Sequence, residues 1–517
     1  MRKSNRHDHR CDFTIRERQS TMNSEHSTGA QELDTTVARR NLSRRAFLGG
    51  ITASAAAAIL AACGGSSATA TTAPAAAGTR APAAATTAPT AASASGAAPT
   101  VAAPTAGATA AAGATKPAGS SVASVVASKG PAKLTDGKLV LAVLNDQSGV
   151  YADISGKNTT KLVKQAVDDF MAKYGKDVFG GTVEVIDADH QNKPDLANAK
   201  AQEFYDRNQA DVILDVPTSS AGLSVAAVAK AKKRLYINTG SATTELTTTQ
   251  CNKYTFHYAY DTFMLAGGTG SWVTKNVGKK WYLVYPDYAF GQDMVKSFTD
   301  SITKSGGAVV AADPSPFPSS GDFSSYLLKA PSQKPEIIGS MHAGGDVVNF
   351  VKQYNEFKLR DQKINLAIGL LFDSDIKALG PDAFAGVTYT TAWLWTLDDQ
   401  SRAWADMAKK IIGVRPTFDH AANYSAAWQY MEAVRRAGTD DPDAVVKQLE
   451  GYQFNDFFAR NATIRAEDHN LIHDVYLAQV KPLKENAEEG DYSKILATIP
   501  GKEAYRPDGQ TGCTGLS

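Results

Sequence analysis

The chain has no excess of charge of either sign. Its 54 Lys and Arg stand against 53 Asp and Glu, a net charge of +1. No basic stripe appears, so the electrostatic footprint of a nucleic-acid binder is absent. No strongly apolar run reaches the roughly 20 residues of a membrane-spanning helix. The nine histidines do not cluster at metal-ligand spacing. Gly-x-Ser-x-Gly, His-Glu-x-x-His, a Gly-Lys-Ser/Thr phosphate loop and Cys-x-x-Cys are all missing. No positive feature supports catalysis, and neither a cofactor nor a metal is expected.

The N-terminal region carries an ordered set of signals. Arg39, Arg40, Arg44 and Arg45 form a basic stretch, and Ile51 to Ala62 is a mildly apolar, Ala-rich one. Ser43-Arg44-Arg45-Ala46-Phe47-Leu48 resembles the twin-arginine export consensus, and Leu60-Ala61-Ala62-Cys63 resembles a bacterial lipobox. Residues 1–62 are expected to be an export signal, with translation starting at Met1 or Met22, and Cys63 to carry lipid. Residues 63–130 form the expected lipid-anchored tether. From residue 64 on they are nearly all Ala, Thr, Pro, Ser and Gly, with Arg80, Lys116 and Lys129 the charged exceptions. Such a segment has too few large apolar side chains to bury and is expected to be disordered. As a coil it would span about 45 Å.

Cysteine is scarce: Cys11, Cys63, Cys251 and Cys513. An exported, oxidising setting favours a disulfide between Cys251 and Cys513. It would close a loop of about 260 residues and stabilise by several kcal/mol in the chain-entropy model.

From Gly137 onward, apolar strand-like runs alternate with amphipathic helical ones. Lys138–Leu144 is continuously apolar, as in a strand buried on both faces. Residues 156–174 have helical periodicity, and Pro194 opens a helix to Tyr205. Strands are expected at 182–186, 211–214 and 235–238, then in a second series at 280–285, 308–311, 336–339, 364–368 and 387–392. A helix is expected over 263–276. Two series of this kind predict an α/β fold of two doubly wound parallel-sheet domains joined by hinge strands, with a ligand cleft at the strand ends. The first lobe is placed at 137–258 plus about 391–475, the second at about 259–390 plus 476–517.

Six segments carry a resemblance: 144–153 (Leu-Asn-Asp-Gln-Ser-Gly-Val-Tyr-Ala-Asp), 215–220 (Asp-Val-Pro-Thr-Ser-Ser), 237–247 (Ile-Asn-Thr-Gly-Ser-Ala-Thr-Thr-Glu-Leu-Thr), 285–291 (Tyr-Pro-Asp-Tyr-Ala-Phe-Gly), 321–327 (Gly-Asp-Phe-Ser-Ser-Tyr-Leu) and 343–346 (Ala-Gly-Gly-Asp). In this order they make the chain resemble the leucine/isoleucine/valine-binding-protein family. These are solute receptors of ABC importers with the type I periplasmic-binding-protein fold. The resemblance covers nearly all of 137–510. It implies a monomeric extracytoplasmic receptor that closes on a small solute and hands it to an ABC permease. A rival role is a ligand-sensing module serving a separate membrane sensor.

The cleft chemistry is also readable from the residues. Ser219, Ser220, Gly240, Ser241 and Thr243 lie on strand-end loops, where hydroxyls and backbone N–H groups can hold a carboxylate. The same residue types favour turns and caps. Tyr151, Tyr260, Tyr288, Phe290, Phe372, Trp393 and Trp395 are candidate apolar walls, with core packing the alternative for each. His342 and Asp346 lie on another such loop. In amino-acid receptors of the family an acidic side chain of the second domain meets the ligand's ammonium. Leu371 falls at that position here, with Asp373 two residues on. An apolar residue there favours an aromatic or other organic carboxylate, and Asp373 in the role would restore an amino acid.

Overall fold

The computed structural model describes residues 131–516. The export signal, Cys63 and the tether lie outside the described residues.

The continuous apolar run at the start forms β1 (Lys138–Asn145), buried at every position but its first. It pairs in parallel with β2 (Thr182–Asp189) and β3 (Val212–Asp215). β4 (Leu235–Asn238) and β5 (Thr255–His257) extend the sheet in the order β2-β1-β3-β4-β5, all parallel. Successive side chains of a strand point to opposite faces. Leu139, Leu141 and Val143 therefore enter one core, with the helices Gly156–Tyr174 and Phe418–Ala437, while Val140, Ala142 and Leu144 enter another, with Pro194–Asp206 and Ser219–Lys232.

The second series builds a second parallel sheet. β6 (Lys280–Pro286), β7 (Ala308–Ser315), β8 (Ile337–Ser340) and β9 (Asn365–Ile368) lie in the order β7-β6-β8-β9. Trp281 and Leu283 pack with Met294 and Phe298 on one side, Tyr282 and Val284 with Phe350 and Val351 on the other.

The rest is antiparallel. β10 (Thr388–Thr391) follows the second sheet. The short β11 (Gln453–Phe454), β12 (Ala462–Ile464) and β13 (Leu471–Ile472) form a small sheet of their own. β14 (Val475–Val480) and β15 (Ser493–Ile499) return, and β14 pairs with both β10 and β15. This three-stranded sheet lies where the chain passes between the two parallel-sheet units.

The helix expected over 263–276 is interrupted. Residues 262–265 and 271–276 are α-helical, but Ala266–Gly270 is a π turn. A Cβ on Gly268 would collide with Thr390 of β10, Thr390 N donates to Thr269 Oγ1 (2.8 Å), and Ser301 Oγ donates to Ala266 O (2.7 Å). The wider turn accommodates this close approach of helix and strand.

The sequence reading placed 476–517 with the second lobe; past Ile499 the tail is held by two attachments. Tyr505 donates to Ala259 O (3.1 Å), and Cys513 forms a disulfide with Cys251, with Cα atoms 5.8 Å apart.

Candidate functional site

Each parallel sheet ends its strands toward the other unit. In the first, Asn238 closes β4 and organises the next loop. Its Oδ1 accepts from Ser241 N (2.8 Å) and Tyr236 OH (2.9 Å), and its Nδ2 donates to Ser241 O (2.7 Å). Ser241 Oγ donates to Val216 O (2.5 Å), and Tyr260 OH to Gly240 O (2.6 Å). A Cβ on Gly240 would stand 2.6 Å from Pro217 Cα, so only glycine fits. At the end of β3, Asp215 and Val216 have φ of 82° and 67°. A β-branched residue rarely adopts such a backbone, and strain of this kind gathers at functional sites.

The units meet in a closed arrangement. Tyr151 OH and Tyr288 OH are 2.6 Å apart, and Phe317 stacks on Tyr288 at 4.1 Å between ring centroids. Val150 O accepts from Gly345 N (3.1 Å). Ala289 N donates to Ser220 Oγ (3.4 Å). The Asp293 carboxylate accepts from Thr244 N (2.7 Å) and from the hydroxyls of Thr244 (3.0 Å) and Thr262 (2.6 Å).

Between the units lies a cavity walled by Tyr151, Pro217, Tyr260, Tyr288, Phe290 and Phe372, with Ile154, Ala343 and Leu370 completing it. No side chain in that lining carries a formal charge at neutral pH. It encloses about 10 Å³, space for about one water molecule. Burial raises the phenol pKa of both Tyr151 and Tyr288, so both stay neutral. Phe372 stacks on Phe418 at 4.5 Å, and Tyr260 meets Phe418 edge-on at 5.0 Å.

The structure thus brings Tyr151, Tyr260, Tyr288, Phe290 and Phe372 together. Ser219 and Ser220, in the first turn of the helix Ser219–Lys232, and Gly240, Ser241 and Thr243, on the loop after β4, adjoin them with hydrogen bonds already made. Thr243 N donates to Ser219 Oγ (3.3 Å), and Thr243 Oγ1 accepts from Glu245 N (3.3 Å).

Other candidates lie elsewhere. His342 is enclosed in the second unit between Phe323 and Phe350, with its ring nitrogens against Ser315 and Ser340 hydroxyls (2.8 and 3.0 Å). Burial lowers its pKa to about 3. Leu371 is buried in the second unit's core, and its neighbour Leu370 faces the cavity instead. Trp393 and Trp395 are core residues whose indole N–H groups donate to Phe457 O and Gly490 O (both 2.8 Å). Asp346 accepts from Ser319.

Asp373 lines a separate cavity of about 360 Å³, with Lys377, Arg415 and Glu489. Burial, then the nearby Asp491 charge, raises its pKa to about 7. The sequence reading did not single out Phe317, Phe418, Pro217 or Leu370. Phe317 follows a strand that runs four residues further than expected, to Ser315.

Residues 138–488 match the family described as periplasmic binding protein. The chain belongs to that family. It is 40% identical to a periplasmic binding protein from Burkholderia mallei, covering 73% of this chain and 99% of that one, with a TM-score of 0.70. A branched-chain amino acid ABC transporter periplasmic ligand-binding protein from Burkholderia xenovorans is 33% identical over 73% of this chain and 99% of its own, with a TM-score of 0.65. A solute-binding protein of an ABC transporter from Rhodopseudomonas palustris, in complex with 3,4-dihydroxybenzoic acid, shares the fold at 23% identity and a TM-score of 0.62, covering 71% and 98% of the two chains. The chain is therefore a periplasmic solute-binding protein of the ABC-transporter type, in a family that works outside the cytoplasm.

Proposed function

We propose that this receptor captures a small organic carboxylate, aromatic for preference, and delivers it to an ABC permease. The observation that carries the reading is the uncharged lining of the aromatic cavity. An ammonium enclosed there would lose its hydration with no opposite charge to replace it. A carboxylate can instead be met by backbone N–H groups and hydroxyls of the 219–220 and 240–243 loops. In the closed arrangement those groups bond to one another and, at Ser220, to the second unit. The solute enters an opened form, exchanges those bonds for its own, and the units close about the hinge sheet as rigid bodies. It drives closure only through contacts made in the closed state. The aromatic-acid complex of the Rhodopseudomonas palustris protein is compatible with this reading, although that likeness carries the fold alone.

A second reading, an amino-acid receptor, is favoured by the description of the Burkholderia xenovorans relative. Calorimetric titration of the full chain, stripped of carried solute, decides between them. We expect 4-hydroxybenzoate to bind at least about 100-fold tighter than leucine, a difference of about 2.7 kcal/mol. Tighter binding of leucine would overturn the carboxylate reading.

We also propose that Cys63 carries lipid and that residues 64–130 tether the receptor to the membrane. Replacing Cys63 with Ala should move the protein from the membrane fraction to the soluble one. Retention on the membrane would refute the anchor.

A further inference from the structure

Behind the docking loops of the first unit lies a closed knot of oxygen atoms that solute binding does not use. Asn145 ends β1, Asp215 ends β3 and Thr239 follows β4. Ser155 precedes the helix Gly156–Tyr174, and Asp419 and Asn423 sit one turn apart on Phe418–Ala437. None of the six is more than 1% exposed. Asp215 lies beside Asn145, Ser155, Asp419 and Asn423, and Asp419 beside Thr239.

The amide nitrogens are already committed. Asn145 Nδ2 donates to Gly156 O (2.7 Å) and Asp215 Oδ2 (3.0 Å), and Asn423 Nδ2 to Asp419 O (3.0 Å). Their Oδ1 atoms are therefore free to point elsewhere. Among the described residues Asn145 Oδ1, Ser155 Oγ, Asp215 Oδ1, Thr239 Oγ1, both carboxylate oxygens of Asp419 and Asn423 Oδ1 make no hydrogen bond of good geometry, although they lie within reach of one another. Two buried carboxylates side by side, with no Lys or Arg among the described residues paired to either, are strongly unfavourable unless something offsets their charge.

An all-oxygen set with two carboxylates suits a hard dication. Calcium takes six to eight oxygens from carboxylates, amide carbonyls and hydroxyls in flexible geometry, whereas magnesium keeps several waters that a closed site has no means to supply. Nitrogen and sulfur donors, which zinc prefers, are absent from the cluster. Among the described residues no three His, Cys, Asp or Glu side chains converge as a metal site. This cluster reaches its oxygen number through Asn, Ser and Thr instead.

We propose that these six side chains form a calcium site that braces the solute-docking loops. A Cβ on Gly240 would stand 2.7 Å from Asp215 Oδ1, so the loop rests directly on the cluster. Filling the site would stiffen 215–220 and 239–243 together and favour the geometry that the solute meets.

The test uses the full chain and calcium itself, so it does not depend on the identity of the solute. The protein is stripped with chelator, equilibrated with CaCl2 at about 1 mM, the upper end for extracellular calcium modules, and desalted. Elemental mass spectrometry should find about one calcium per chain, and Tm should rise by roughly 3–6 °C. Magnesium and sodium at equal ionic strength should not reproduce the rise. Asp419→Asn, which keeps the shape and removes one charge, should lose both the metal and the Tm response. Should that variant not fold, Thr239→Val removes one neutral oxygen and should weaken calcium binding about tenfold while leaving the protein folded. Absence of retained calcium with an unchanged Tm would overturn the proposal and leave the two carboxyls sharing a proton. An equal response to sodium or magnesium would overturn it as well.

Discussion

The two parallel sheets end their strands in contrasting ways. The first closes on Asn145, Asp215 and Asn238, buried polar groups that hold their loops through side-chain hydrogen bonds. The second, beyond the buried Ser315–His342–Ser340 hydrogen bonds, leads into Tyr288, Phe317, Leu370 and Phe372, rings and an alkyl chain held mainly by packing. Hydrogen bonds of this kind have narrow angular tolerances and fix the groups they join. A stack of rings can slide and re-form. The contrast gives the first unit the character of a rigid shelf and the second that of a lid.

Glycine substitutions break this contrast most directly. Gly240→Ala would press a methyl group against the Pro217 backbone, which has nowhere to go. We expect a loss of about 3 kcal/mol in stability and of measurable solute binding. Gly369→Ala on the lid side meets the flexible ends of Met294 and Met341 and should cost about 1 kcal/mol. Chemical denaturation of both variants is the check, and equal losses would abolish the distinction between shelf and lid.

Asp293→Ala comes next, because it strands the Thr244 N–H and hydroxyl that its carboxylate gathers across the units, and the Thr262 hydroxyl beside them. A loss of about 2 kcal/mol is expected, read as weaker solute binding by calorimetry. Tyr288→Phe deletes one hydrogen bond between lid and shelf and should weaken solute binding about fivefold, near 1 kcal/mol.

The smallest effect concerns acid. His342 has a folded pKa near 3 against an ordinary value of 6.5. Its neutral form is favoured on folding, so its contribution is present above pH 6.5 and declines as pH falls toward 3. Between pH 7 and pH 6 it should remove roughly 0.7 kcal/mol. His342→Gln should flatten that part of the denaturation profile, and an unchanged slope would place the titration elsewhere.

Much of this architecture was legible in the sequence because buried parallel strands advertise themselves. The run from Lys138 to Leu144 has no other good interpretation, and its partners follow at regular intervals. The hinge sheet was less visible. Of its strands only β10 was assigned, and β14 and β15 pair with distant segments, a relation that local pattern does not encode. The site was legible to the level of loops and not of side chains. Adjacent residues at a strand end face opposite ways, so Leu370 reaches the cavity and Leu371 the core, and one position of error exchanges them. His342 misled for a related reason. A histidine on a strand-end loop suggests a ligand contact, but here the loop turns it inward to two serine hydroxyls.

The fastening of the folded region has a mechanical consequence. Near its start Ala132 N bonds to Val178 O and Lys133 N to Gly438 O, at 3.0 and 2.9 Å, and Cys513 is joined to Cys251. All of these attachments are on the shelf, and none is on the lid. A pull transmitted along the chain into residue 131 would be borne by the shelf alone and would not cross the hinge sheet. The lid could then open and shut at the same rate whether or not residue 131 is under load.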